Sequence, residues 1–222
     1  MTIRNLLALL ATAATLAGCA TPPPAYDYAA FQRAKPASML VLPPLNDSPD
    51  VKATPGVWAN ATLPLAEAGY YVMPVTLVDE TFRQNGLNLP NEVHDVPIVK
   101  LREFFGADAG VYLRVKQYGT SYAVIASDTT VVVEGRVVDL RDGTLLWEGR
   151  AAASSAEQSQ QSQGGLVGLL VTALVKQIIG TVADAGFTYA AIADSRLLAA
   201  PRVNGILPGP RSALHGQVPP RQ

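Results

Sequence analysis

Val111-Tyr112-Leu113-Arg114-Val115-Lys116 decides the fold class of this 222-residue chain. Its odd positions are apolar and its even positions are Tyr, Arg and Lys. That is the period of two expected of a strand with one buried and one wet face. Downstream, Tyr122 to Leu140 carries a long β-branched run that includes Thr129-Thr130-Val131-Val132-Val133. Arg141-Asp142-Gly143-Thr144 then supplies an Asp-Gly turn, expected as type I′ with positive φ at both central residues. Leu145 to Arg150 reads as the returning strand, with Trp147 on one face. Three strands therefore form an antiparallel meander.

Upstream the pattern changes. Met39-Leu40-Val41-Leu42 is a short continuous apolar run stopped by Pro43-Pro44, the mark of a strand buried on both faces. Residues 56 to 68 suit a helix, with a kink or late start at Pro64. Tyr70-Tyr71-Val72-Met73 reads as a second strand. Residues 76 to 85 and Ile98 to Phe105 read as two more helices, closed by Gly86 and Gly106. Strand, helix, strand, helix, helix, then meander predicts an α/β fold. It has a single mixed sheet of about five strands, parallel in its N-terminal half and antiparallel in its C-terminal half, flanked by helices.

The ends read differently. Arg4, an apolar stretch from Leu6 to Leu16, and Leu16-Ala17-Gly18-Cys19 form a secretory signal peptide of the lipoprotein kind. Residues 1–18 are expected to be removed and Cys19, the only cysteine, to be acylated. Several acyl chains give stable anchoring. Ala20, where Asp would favour the inner membrane, directs the protein to the outer membrane, facing the periplasm or the cell surface. Residues 19–37, with Pro22-Pro23-Pro24, are a semi-rigid spacer. The alternative is an arm docked on the domain through Tyr26, Tyr28 and Phe31. The folded part is placed at 38–200, and the Pro/Gly-rich tail at 201–222 is read as unpacked. Ser154 to Gly165 is a polar loop, and Leu166 to Ile179 an apolar helix too short to span a bilayer. That helix, with Leu174 at its centre, covers the sheet or meets a partner, a second copy or the membrane surface.

Composition narrows the function. The formal net charge is −1, so nothing favours nucleic acid as a partner. Only His94 and His215 supply imidazole, and neither lies in a nucleophile motif or at zinc-ligand spacing. His94 is read as a solvated loop residue. Asp47, Asp79, Glu80, Asp108 and Asp128 show no spacing that singles out a catalytic pair. No catalytic, metal or cofactor residue is assigned. Tyr112, Arg114 and Lys116 share the polar face of one strand, with Tyr118 and Tyr122 near its turn. Tyr with Arg is a typical interaction surface; the bland alternative is that the aromatics lie under a covering helix.

Four stretches carry a family resemblance: Val41-Leu42-Pro43-Pro44-Leu45-Asn46-Asp47-Ser48, Tyr70-Tyr71-Val72-Met73-Pro74-Val75, Phe105-Gly106-Ala107-Asp108-Ala109-Gly110-Val111 and Asn204-Gly205-Ile206-Leu207-Pro208-Gly209-Pro210-Arg211. With Cys19 they resemble the bacterial lipoproteins grouped as domain of unknown function 799. The resemblance implies an α/β fold similar to the Tol-system N-terminal domain, to lipoproteins that activate peptidoglycan synthases, and to the periplasmic domain of the curli secretion channel. It also implies an envelope protein partner, with a curli-channel-like lipoprotein as the nearest candidate. It carries no functional residues. The expectation is a non-enzymatic accessory or scaffold of a secretion or cell-wall assembly; the rivals are a cell-wall hydrolase and a small-ligand carrier.

Overall fold

The computed structural model describes residues 25–122, 127–157 and 184–218. The signal peptide, Cys19, most of the Ser/Gln loop and the helix containing Leu174 lie outside these residues. In chain order the elements are α1 (Ala29–Ala34), β1 (Ser38–Val41), β2 (Leu45–Asn46), α2 (Ala53–Glu67), β3 (Tyr71–Val72), α3 (Val75–Gln84), α4 (Pro90–His94), α5 (Ile98–Phe105), β4 (Ala109–Tyr122), β5 (Ser127–Asp139), β6 (Leu145–Ser154) and α6 (Ala185–Leu198).

The strands form one mixed sheet in the order β3-β1-β4-β5-β6, with β2 also pairing β4. β1 runs parallel to β3 and β4, whereas β4, β5 and β6 are antiparallel. This is the architecture the apolar patterns predict. β1 is buried on both faces: Met39 and Val41 enter one core, Leu40 and Leu42 the other. The first core lies under α2 and α6 and takes in Val57, Leu65, Val111, Leu113, Val133, Trp147 and Leu197. The second lies under α3, α4 and α5 and holds Val78, Phe82, Val93, Leu101 and Leu140. Each large aliphatic side chain fully removed from water contributes about 1.5–3 kcal/mol, so these two clusters dominate the fold's stability.

Three readings need correction. First, described residues on both sides of 38–200 pack onto the domain. Tyr28 and Phe31 are buried, and Tyr28 Oη donates to Gly205 C=O at 2.5 Å. Of the two readings of the N-terminal segment, the docked arm holds from Tyr26 onward. In the tail, Ile206 is fully buried and Tyr70 Oη donates to Leu207 C=O at 2.5 Å. Proline and glycine there remove regular structure without removing burial.

Second, Tyr118 does not share the wet face with Arg114. A bulge between Val115 and Gln117 shifts the β4–β5 register by one residue, and a one-residue shift exchanges the faces of every later side chain. Tyr118 therefore turns inward opposite Val131, 4% exposed. Its ring fits because Gly56 of α2 and Gly186 of α6 lack a Cβ. A Cβ on either would stand 2.8 or 2.5 Å from the ring or its hydroxyl.

Third, the β5–β6 turn is not type I′. Only Gly143 takes positive φ, at 82°, while Asp142 does not. Gly143 N–H returns to Asp139 C=O, and Asp139 N–H bonds Thr144 C=O, so the loop is longer than a two-residue hairpin.

Candidate functional site

The two helical layers are unequal. α2 and α6 cover their face of the sheet across β4, β5 and β6. On the other face, α3, α4 and α5 pack over β1 and the start of β4. Among the described residues, the C-terminal half of that second face is left open as a concavity of about 510 Å³, floored by β4, β5 and β6 and rimmed by His94 and Leu45.

Register places the floor residues in rows. Tyr112 of β4, Arg136 of β5 and Glu148 of β6 form one row. Arg114, Glu134 and Arg150 form the next. Opposite charges thus stand beside one another both along and across the strands, the arrangement that stabilises cross-strand pairs. Arg150 Nη1 lies 3.3 Å from Glu134 Oε1. Arg114 Nη1 and Lys116 Nζ reach Asp47 Oδ1 and Oδ2 at 2.9 and 2.6 Å. The hydrogen bond from Lys116, followed by that from Arg114, holds the Asp47 carboxyl below the usual carboxylate range. Asp47 follows β2, whose parallel pairing with β4 carries it to this position.

His94 is partly buried and part of a helix, not a freely solvated loop residue. It ends α4, and its Nε2 lies 2.9 Å from Pro43 C=O. A carbonyl only accepts, so Nε2 carries the proton. Burial lowers the pKa of the ring and favours the neutral form. The imidazole stands edge-on to Tyr112 at 5.3 Å and 89°. Tyr112 is thus half-buried beneath α4, as the bland reading has it, whereas Arg114 and Lys116 are exposed beside it. Among the described residues no group of three His, Cys, Asp or Glu is placed to hold a metal. The site can present fixed, alternating charge around an aromatic centre. His94, neutral and with its Nε2 proton committed to Pro43, is a packing group there.

The sequence reading found Tyr112, Arg114 and Lys116, which the structure keeps on one strand. It missed Asp47, Glu134, Arg136, Glu148 and Arg150. Alternation within β5 and β6 could have offered Arg136 and Glu148, but only the strand register brings them beside Tyr112. Asp47 lies 69 residues from Lys116 in sequence, and its turn-forming neighbours give no sign of the contact.

Comparison with known proteins gives the class. The family model described as "Putative lipoprotein GNA1162-like" matches residues 26–211, nearly the whole described domain including the docked arm and the tail. The protein is therefore of the bacterial lipoprotein class. It belongs to the GNA1162-like family. A relative from Neisseria meningitidis serogroup B, "Putative lipoprotein NMB1124/NMB1162", is 46% identical over 94% of this chain and 97% of its own length. The crystal structure of lipoprotein GNA1162 from Neisseria meningitidis is 48% identical, with a TM-score of 0.52 over 66% of this chain and all of that one. A PelC dodecamer from Paraburkholderia phytofirmans matches at a TM-score of 0.43 and 11% identity, over 79% of this chain and 91% of that one. At that distance nothing about assembly transfers. No described helix is long and apolar enough to cross a membrane.

Proposed function

We propose that this chain is an outer-membrane lipoprotein, held by acyl chains on Cys19 and facing the periplasm. It acts as a non-enzymatic accessory or scaffold subunit in a secretion or cell-wall assembly. Family membership supports the lipoprotein class. The observation that carries the scaffold reading is the open half-sheet. Rows of exposed charge around Tyr112 are set by strand register, and Arg114 and Lys116 are tied to Asp47. Pre-positioned charge of this kind selects a partner and speeds encounter more than it adds affinity. The resemblance to family 799 makes a curli-channel-like lipoprotein the first partner to seek.

The test is crosslinking in native membranes followed by purification of the intact protein, with Arg136→Glu and Glu148→Arg as variants. The expected result is a defined partner lost from each variant while the thermal midpoint stays unchanged. An identical partner set in all three proteins would refute the open face as the docking surface. For the anchor, Cys19→Ser should abolish labelling by a palmitate analogue; labelling that persists would refute Cys19 as its site.

A further inference from the structure

Among the described residues β6 is the terminal strand of the sheet, and unpaired edges are ready templates for another strand. In an antiparallel pair, alternate residues turn their backbone N–H and C=O away from the partner. Two contacts fix which residues of β6 do so. Glu148 N–H donates to Tyr26 Oη at 3.1 Å, and Ala152 C=O accepts from Arg196 Nη1 at 2.5 Å. Pairing with β5 is unbroken from Trp147 to Ser154, so Glu148, Arg150 and Ala152 all face outward. Tyr26 and Arg196 block the two ends. Between them, among the described residues, Glu148 C=O, Arg150 N–H, Arg150 C=O and Ala152 N–H have no partner. They border a groove of about 670 Å³ whose far wall is the 201–205 connection.

Charge decides the occupant. Arg150, Arg196 and Arg202 surround this groove against Glu148. Glu134 engages Arg150 through one nitrogen, and Glu157 likewise engages Arg196. A second copy of β6 could use the free groups fully only with Arg150 opposite Arg150. Sliding either way would spend half of a ladder pair on groups already held by Tyr26 or Arg196. Like charges directly opposite are destabilising.

We infer that the β6 edge takes a short extended segment of an acidic partner protein. It adds as an antiparallel strand with an Asp or Glu opposite Arg150, an instance of strand addition. The central residue of the segment exchanges both backbone bonds with Arg150. The residues two places either side reach Glu148 C=O and Ala152 N–H. This surface meets the open face only at Glu148, Gly149 and Arg150, and the inference does not depend on a partner binding there.

The test uses the full acylated protein in detergent with two labelled pentapeptides, acetyl-Thr-Val-Glu-Val-Thr-amide and its Lys-centred counterpart. Anisotropy should show the Glu peptide binding at least tenfold more tightly, and Arg150→Glu should invert that order. N-methylation of the central residue should weaken binding at least tenfold, because it removes the donor to Arg150 C=O. Hydrogen exchange should slow at the amides of residues 150 and 152 when peptide is added. Equal affinity of the two peptides, or an order unchanged in Arg150→Glu, overturns the proposal. So does protection of both amides in peptide-free protein together with a dimer mass by light scattering, which would seat a second copy on the edge.

Discussion

Asp194 should make this domain less stable as pH rises from about 4.5. The residue sits on α6, fully buried, and neither carboxylate oxygen has a hydrogen-bond partner. Burial raises its pKa well above the ordinary 3.8. The folded state therefore holds the proton more tightly than the unfolded chain does. Below the unfolded value both states are protonated and the stability is fully present. Above it the unfolded chain releases a proton that the folded chain keeps, and stability is lost until pH passes the folded pKa. The slope for one proton is about 1.4 kcal/mol per pH unit. A loss on that scale is a sizeable fraction of the roughly 5–15 kcal/mol that holds a domain together. Asp47, Asp108, Asp128 and Asp139 are shifted the other way. Their contributions are lost as pH falls below about 4, outside this window. Asp194→Asn keeps the shape and cannot titrate. Urea unfolding of both proteins at pH 4.5, 5.5 and 6.5 gives the difference directly. The advantage of the native protein over Asp194→Asn should shrink as pH rises, by no more than about 1.4 kcal/mol per pH unit. Parallel stability curves would refute the buried, unpaired carboxylate.

Three further outcomes are expected. Gly186→Ala places a Cβ 2.5 Å from the Tyr118 ring and should cost about 1–3 kcal/mol by overpacking; in a Tyr118→Ala background the same change should gain up to about 1 kcal/mol from helix propensity, and denaturant midpoints of the four proteins check the reversal of sign. Tyr70→Phe leaves Leu207 C=O without its donor and should cost about 1–3 kcal/mol, with limited proteolysis showing the tail cut first; an unchanged midpoint and cleavage pattern would remove the tail from the cooperative unit. Gly143→Val, at φ 82° and with its Cβ 3.2 Å from Ile98, should lower stability by roughly 1–3 kcal/mol, read as a fall in the thermal midpoint.

Local signals carried much of the fold. Ile98–Phe105 is bounded by Pro97 and Gly106 and forms as read. The alternation in Val111–Lys116 marks β4 correctly and assigns Arg114 and Lys116 to the wet face. What the chain hid was non-local. The bulge at Val115/Gln117 exists only against β5, so nothing in residues 109–122 says that Tyr118 turns inward. The tail looks unpacked by composition, yet it is anchored through Leu207 C=O to a tyrosine 137 residues away. Only part of the candidate site was legible for the same reason. Tyr112, Arg114 and Lys116 share one strand, whereas Arg136, Glu148 and Asp47 join them through strand pairing. Asp194 keeps helical step with the buried Ala190, Leu197 and Leu198, but a charged side chain reads as surface.

The docked arm ties the N-terminal segment to the tail and to the β6 edge. Tyr26 N–H holds Asn204 Oδ1 at 3.0 Å, Tyr26 Oη holds Glu148 N–H, and Tyr28 Oη holds Gly205 C=O. Tension arriving from residues ahead of Tyr26 meets these bonds together with the packing of Tyr26 and Tyr28 against the core. Among them, the Tyr26 Oη bond is the one that caps one end of the β6 edge. Its release sets free Glu148 N–H, a fifth hydrogen-bonding group for an incoming strand, so stretch at the N-terminal end is converted into stickiness at the sheet's rim.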